Sequence, residues 1–221
     1  MDFEQARFNM IEQQIRPWEV LDQQVLDLLF AVKREDFVPP AYRAIAFTDL
    51  EIPLGHDQVM MAPKIEARVL QEIAPKPGET VLEIGTGSGY FTALLAKCAA
   101  SVTSIEYFED LSLAAQTKLA AANISNVQLK VGDAARSAEP MVSAQEQFDV
   151  IVLTGSVPMV PQGYLQKLRI GGRFFAIVGD SPVMKATLIT KAAENQLVSA
   201  EVFETMLTPL IHAAQPSRFD F

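Results

Sequence analysis

The stretch from Val81 to Tyr90, V-L-E-I-G-T-G-S-G-Y, restricts the fold more than any other feature of the chain. Strand-forming residues lead directly into glycines at every second position, and helix-favouring residues follow. Glycine permits positive backbone angles and lets a ligand approach the main chain where a side chain would obstruct it. A strand, a glycine turn and a helix in that order form a unit of the doubly wound sheets that bind ligands beyond the carboxyl ends of their strands.

The residues that follow repeat the alternation. T-V-L-E-I-G is followed by a helical pattern over Tyr90 to Lys97, S-V-T-S-I-E by one over Leu111 to Ala122, and then come V-Q-L-K-V-G-D and F-D-V-I-V-L-T. Such alternation implies a mostly parallel sheet covered on both faces. Pro158 to Leu168 predicts one more helix, and G-G-R-F-F-A-I-V-G-D a further strand after a Gly-Gly turn. A-T-L-I-T-K and V-F-E-T-M-L-T, without a clear helix between them, pair antiparallel at one edge. The expected fold class is α/β, a doubly wound, Rossmann-like, mostly parallel sheet of about seven strands with an N-terminal helical cap.

In the N-terminal part, Phe8, Ile11 and Ile15, then Val25, Leu28, Leu29 and Val32, recur at helical spacing. Arg16-Pro17 is the expected bend between these helices, because a residue before proline is pushed from the helical region. The proline-rich stretch from Val38 to Leu54 reads as an irregular covering segment. Ile65, Val69, Leu70 and Ile73 mark another amphipathic helix, stopped by Pro75 and the K-P-G turn. The chain therefore divides into a helical cap, residues 1–75, and a nucleotide-binding type of sheet, residues 76–221.

Charge and cysteine usage narrow the partners. A net charge of -9 argues against nucleic acid, whose binding relies on clustered Lys and Arg. The opening M-D-F-E-Q-A-R is acidic and polar where a secretory signal would be basic and then apolar. No apolar run reaches the length of about 18 residues needed to cross a bilayer. Cys98 is the single cysteine and fits a reducing compartment. The expectation is a cytoplasmic protein with neither nucleic-acid nor membrane partners. His56 and His212, the only histidines, form no metal constellation, so no metal is expected.

The spacing of the glycines separates the cofactor classes. A dinucleotide fingerprint would require glycine at position 90, which is Tyr90, and the observed pattern is G-x-G-x-G. Glu106 closes the next strand, where a carboxylate accepts from both hydroxyls of a ribose and disfavours a 2′-phosphate. Asp133 ends the third strand, within reach of an adenine amino group. No P-loop lysine follows the glycines, which disfavours nucleotide hydrolysis.

E-I-G-T-G-S-G, Glu83 to Gly89, resembles the first motif of class I S-adenosylmethionine-dependent methyltransferases. F-V-P-P, I-P-L-G-H-D-Q, A-P-K-I-E-A-R, L-R-I-G-G-R-F-F-A-I-V-G and M-L-T-P-L extend the resemblance over most of the chain to the protein-L-isoaspartate O-methyltransferase family. The resemblance implies S-adenosylmethionine as cofactor and S-adenosylhomocysteine as product. It places the cofactor against Glu83, Gly85, Thr86, Gly87, Ser88, Gly89, Glu106, Tyr107, Asp133 and Ala134. Tyr107 is either an adenine contact or ordinary packing. The implied reaction methylates the free α-carboxylate of an isoaspartyl residue, the first step in repair of damaged proteins. His56, Gln58, Val59, Met60 and Met61 would line the substrate side, with Thr154 and then Ser156 as the nearest remaining hydroxyls.

The chain departs from the family in the substrate loop. The family commonly has G-H-G-Q-T-I-S-Q-P, whereas Gly55 to Pro63 reads G-H-D-Q-V-M-M-A-P. Val59 replaces the threonine, Ala62 the second glutamine, and Met61 the serine whose hydroxyl is the family's active-site group. The catalytic residue is therefore unassigned by sequence. Ile177 likewise stands where the family's strand commonly has proline. Three readings follow: isoaspartyl methylation with backbone amides in place of the hydroxyl, methylation of a more apolar and small-molecule acceptor, or cofactor binding without transfer.

Overall fold

The computed structural model describes residues 2–216. Asp2 caps α1 (Phe3–Met10) by accepting the amides of Glu4 and Gln5, and the helical path continues through a π turn at Ile11–Ile15 and a 3-10 turn at Arg16–Trp18. The bend expected at Arg16-Pro17 falls later. Arg16 stays helical (φ -57°, ψ -42°), because Pro17 enters at the start of a new turn, where its missing N–H breaks no helical hydrogen bond. The direction changes instead at Glu19, with φ 60°. Asp22 then caps α2 (Gln23–Ala31).

The covering segment is more regular than its prolines suggest. It contains a 3-10 helix, Pro40–Ile45, and a hairpin of β1 (Ile52–Gly55) and β2 (Gln58–Met60). His56 and Asp57 form its turn with φ of 53° and 55°, the pair of positive angles that lets a two-residue loop follow strand twist. Pro63 then opens α3 (Pro63–Ile73), which buries Ile65, Val69, Leu70 and Ile73.

Seven strands form the main sheet: β3 (Thr80–Ile84), β4 (Ser101–Glu106), β5 (Val127–Val131), β6 (Phe148–Val157), β7 (Leu168–Asp180), β8 (Val183–Ala193) and β9 (Gln196–Thr205). Their spatial order is β5-β4-β3-β6-β7-β8-β9. The first five in that order run parallel, and β8 and β9 are antiparallel additions. The connecting helices are α4 (Tyr90–Cys98), α5 (Glu109–Ala121) and the short α6 (Gln162–Gln166). The order reverses between β3 and β6, which is where a doubly wound sheet opens its ligand crevice.

Sequence and structure part company around the last strands. The helix expected over Pro158 to Leu168 shrinks to α6, and Leu168 already belongs to β7. Gly171 and Gly172 lie inside that strand, where the register against β6 shifts, and not in a turn before it. The last strand ends at Thr205, and Pro209 returns to bridge Ser156 of β6. In the polar segment that follows Arg136, Ala138 and Val142 are buried.

Strand alternation divides the core. Leu82 and Ile84 pack with Ile105, Ile151 and Phe174 on one face of the sheet. Val81 faces the other way, into a cluster shared by Phe91 of α4 and by Met10, Leu26 and Leu70 of the N-terminal helices. The cap and one face of the sheet thus bury their apolar side chains together. Trp18 joins this packing edge-on to Phe203 at 6.1 Å and lies outside the crevice at the switch point. Arg173 clamps the junction, donating to the carbonyls of Ile73 and Ala74 and to both oxygens of Glu79. Among the described residues no helix is long and apolar enough to cross a membrane.

Candidate active site

At the carboxyl end of β3 the chain turns through Gly85, Gly87 and Gly89 with φ of 98°, 52° and 82°. A side chain at Gly85 would also collide with Thr154 Oγ1, which donates to the carbonyls of Ile84 at 2.9 Å and Gly85 at 2.6 Å. Conformation and space both demand glycine there.

Beside this turn runs a crevice whose walls include Gly85, Gly87, Glu106, Tyr107, Asp133, Ala134 and Thr154. Glu106 Oε2 accepts the Gly87 amide at 2.8 Å and its Oε1 the Phe108 amide at 3.1 Å. A carboxylate offers about four lone-pair sites, so Glu106 is held in place and can still accept from a ligand's hydroxyls. Asp133 accepts from Ala135 N at 3.3 Å and sits 2.7 Å from His212 Nδ1. Tyr107 is 40% exposed, borders the crevice and meets both Phe108 and His212 edge-on.

A second, narrower space lies on the other side of the turn, lined by Val59, Met60, Met61, Glu66, Thr86, Ser88 and Phe91. Val59, Gly85, Gly87 and Thr154 border both spaces, so the two meet at the glycine turn. Met60 and Met61 are buried. Beneath them Arg34, fully buried, binds the Met61 carbonyl at 2.7 Å, the Ala46 carbonyl at 2.9 Å and the carboxylate of Glu66. Burial pushes the Glu66 carboxyl up to about 7 against the opposing pull of Arg34.

Several residues assigned by sequence lie elsewhere. Glu83 lines neither space. Ile84 faces the crevice, so its neighbour must face the opposite side of the strand, where Glu83 accepts from Thr92 Oγ1 at 2.5 Å and Ser104 Oγ at 2.6 Å. Desolvation raises its carboxyl to about 8, and the nearby Glu106 and Glu66 charges add to the effect. Gly89 also lies outside both: a Cβ there would stand 3.0 Å from Ala115 Cβ, so this glycine serves the approach of α4 to α5. Thr86 and Ser88 border the narrow space and not the crevice, and Thr86 Oγ1 is 2.5 Å from Ser104 Oγ. Ser156 is buried, with its hydroxyl donating to Leu207 O at 2.7 Å, and lines neither space. Gln58 reaches the crevice. His56 does not, but stacks on Phe108 with ring centroids 4.1 Å apart while its Nε2 lies 2.9 Å from Asp110.

The crevice also contains residues that sequence reasoning missed. Ile84, Ile105, Phe108 and Leu111 flank Glu106, and Leu207, Leu210 and Ile211 arrive from beyond β9. The first group is findable as apolar residues at strand ends and helix starts; for the second, M-L-T-P-L marks a family-like segment but nothing in it says that Leu207 and Leu210 reach the crevice. Among the described residues there is no group of His, Cys, Asp and Glu that could hold a metal ion.

The acceptors and walls of the crevice suit a nucleoside, with carboxylates at two successive strand ends, an apolar slot between them and bare main chain at the turn. Residues 5–215 match the family model for protein-L-isoaspartate(D-aspartate) O-methyltransferase. The chain belongs to this family. It is an S-adenosylmethionine-dependent methyltransferase of the isoaspartate group. A protein-L-isoaspartate O-methyltransferase of Petrotoga mobilis is 34% identical over 96% of this chain and 98% of its own. A second, from Rhodopseudomonas palustris, is 36% identical over 95% and 84%. In fold, a Plasmodium falciparum chain solved in complex with S-adenosyl-L-homocysteine superposes with a TM-score of 0.80 at 18% identity, covering 95% of this chain and 98% of that one.

The family's cofactor supplies a methyl group activated on a sulfonium. In this isoaspartate-family chain the residues fit it: Glu106 has lone pairs free for ribose hydroxyls, and Asp133 stands at the next strand end.

Proposed function

We propose that this methyltransferase esterifies the α-carboxylate of isoaspartyl residues in damaged protein or peptide substrates. In this reading Gly85, Gly87, Glu106, Tyr107, Asp133 and Ala134 hold S-adenosylmethionine, while Val59, Met60, Met61, Thr86, Ser88 and Thr154 receive the acceptor. Residues 76–221 then form the cofactor-binding part, and residues 1–75 supply the cap and the substrate-side hairpin. The observation that carries the reading is the meeting of crevice and narrow space at Gly85, Gly87 and Thr154. A methyl group delivered from one side of the turn reaches a nucleophile held on the other.

The chemistry asks little of the protein beyond placement. A carboxylate with an ordinary pKa of about 3.5 to 4 is already the nucleophile at neutral pH, so no general base is needed. Aligning its oxygen with the methyl carbon and the departing sulfur, in a gap walled by Val59, Met60 and Met61, supplies the acceleration through orientation and exclusion of water. Thr154 spends its proton on Ile84 and Gly85 and so steadies the turn. Arg34 fixes the main chain of the loop through Met61 O.

A second reading rests on the same wall. Valine and methionine replace polar residues of the family motif, and an apolar small-molecule acceptor would lose less on entering such a gap than a charged one. The experiment is calorimetric titration with S-adenosylmethionine, followed by a methyl-transfer assay on an isoaspartyl peptide and on small apolar acceptors. Ester formation on the peptide supports the first reading, and transfer to the small acceptors alone overturns it. The charge of -9 and the single cysteine favour a cytoplasmic setting without a nucleic-acid partner.

A further inference from the structure

The two acids at the crevice are held in different ways. Glu106 is buried and takes two main-chain amides from its own surroundings, Gly87 at 2.8 Å and Phe108 at 3.1 Å. Asp133 accepts, among the described residues, a single amide, that of Ala135 at 3.3 Å, and its side chain is 44% exposed. Its short contact comes from 79 positions further on, where His212 Nδ1 lies 2.7 Å from Asp133 Oδ2. A carboxylate only accepts, so Nδ1 carries the hydrogen. Without that donor the one remaining bond is long, and the side chain is free to turn towards water.

His212 is built into this place. It adopts φ 62°, a left-handed conformation that costs most residues other than glycine and that histidine and asparagine tolerate better than the rest. Arg136, three residues after Asp133, donates from Nε to the His212 carbonyl at 2.8 Å, so one short segment grips this residue of the tail by both side chain and main chain. The Tyr107 ring meets the imidazole edge-on at 5.4 Å, and the neighbouring Ala213 is buried in the same cluster as Ala134 and Ala135. His212 itself does not line the crevice, whereas Asp133, Tyr107 and Ile211 do.

We propose that His212 is a positioning residue for the base of the nucleoside: its Nδ1–H fixes the Asp133 carboxylate at the crevice wall as an acceptor and so sets a preference for a 6-amino over a 6-oxo purine. This rests on the cofactor reading of the crevice given above and adds to it a residue that acts through Asp133. A carboxylate offers about four lone-pair sites, and the Ala135 amide and His212 take two, so room to accept an exocyclic N–H remains. A 6-oxo group in the same place would set two acceptors against each other, and an acceptor left unpaired on burial is costly. His212 thus bears on which nucleoside is taken and not on the transfer step.

Calorimetric titration with S-adenosylhomocysteine and with S-inosylhomocysteine, which carries a 6-oxo group in place of the 6-amino group, reads the preference directly. Wild type is expected to prefer the adenosyl compound by about tenfold or more. His212→Phe keeps a ring against Tyr107 and removes the donor. It is expected to weaken the adenosyl compound about three- to tenfold while leaving the inosyl compound within about twofold. His212→Asn, whose side-chain amide can donate from a similar place and which tolerates the left-handed backbone, is expected to recover most of the loss. If His212→Phe does not fold, His212→Gly, suited to φ 62° and lacking the donor, takes its place with the same expectation. An unchanged preference, equal weakening of both compounds, or His212→Asn no better than His212→Phe overturns the assignment and leaves the cofactor reading standing. Wild type that binds both compounds alike overturns it together with the adenine role of Asp133, and wild type that binds neither overturns the placement of the cofactor in this crevice as well.

Discussion

Glu106 Oε2 stands 2.8 Å from the amide nitrogen of Gly87, joining the end of β4 to the middle of the glycine turn. The carboxylate is thereby positioned before any ligand arrives, and losing it removes both the proposed ribose acceptor and a brace of the turn. Glu106→Ala is expected to raise the Kd for S-adenosylmethionine by about 100-fold, with Glu106→Gln intermediate, as calorimetry would read. An alanine variant that binds normally would remove Glu106 from the cofactor site.

Met61 faces the narrow space while its carbonyl is held by Arg34, so a change of side chain leaves the loop's main chain anchored. Met61→Ser adds a donor there and is expected to raise kcat/KM on an isoaspartyl peptide by about tenfold. The lost buried volume lowers stability by about 2 to 3 kcal/mol, visible as a lower Tm. An unchanged kcat/KM in a folded variant means the loop side chain does not limit the reaction.

Arg34 and Glu66 form a buried pair that also holds two backbone carbonyls. Arg34→Met strands a buried carboxylate and is expected to cost about 3 to 5 kcal/mol in denaturant unfolding, as is typical when one partner of such a pair is removed. The double change Arg34→Met with Glu66→Met should cost clearly less than the sum of the singles. Additive losses would show that the two side chains are not energetically coupled.

Glu83 gives a pH dependence whose sign follows from burial. Desolvation lifts its folded pKa from the ordinary 4.5 to about 8, so the folded state takes up a proton that the unfolded state has released. Its contribution is fully present below 4.5, declines as pH rises, and is lost above about 8. Glu83→Gln keeps the neutral shape, so the drop in Tm between about pH 6 and pH 9 should be smaller in the variant than in wild type. Equal drops would place the titration on another group.

Much of this arrangement was legible from residue order. The G-x-G-x-G turn and the alternating strands and helices fixed the sheet, because glycine geometry and strand periodicity are local properties. Glu106 and Asp133 were legible for the same reason, lying at strand ends. Glu83 was misread because motif membership does not say which face of a strand a residue takes; that Ile84 lines the crevice does. The hairpin around His56 and Asp57 was hidden by its flanking prolines. The pairing of His212 with Asp133 joins residues that only the tertiary fold brings together. Arg34 and Glu66 meet within the cap, beneath Met61 and against the Tyr90 ring, and a buried charged pair leaves no periodic trace in the sequence.

Leu207, Leu210 and Ile211 follow the whole sheet in chain order and yet wall the crevice that the glycine turn begins. One wall of that crevice is thus built from the far end of the described chain, tied down where Pro209 bridges Ser156 and where Leu207 O accepts the Ser156 hydroxyl.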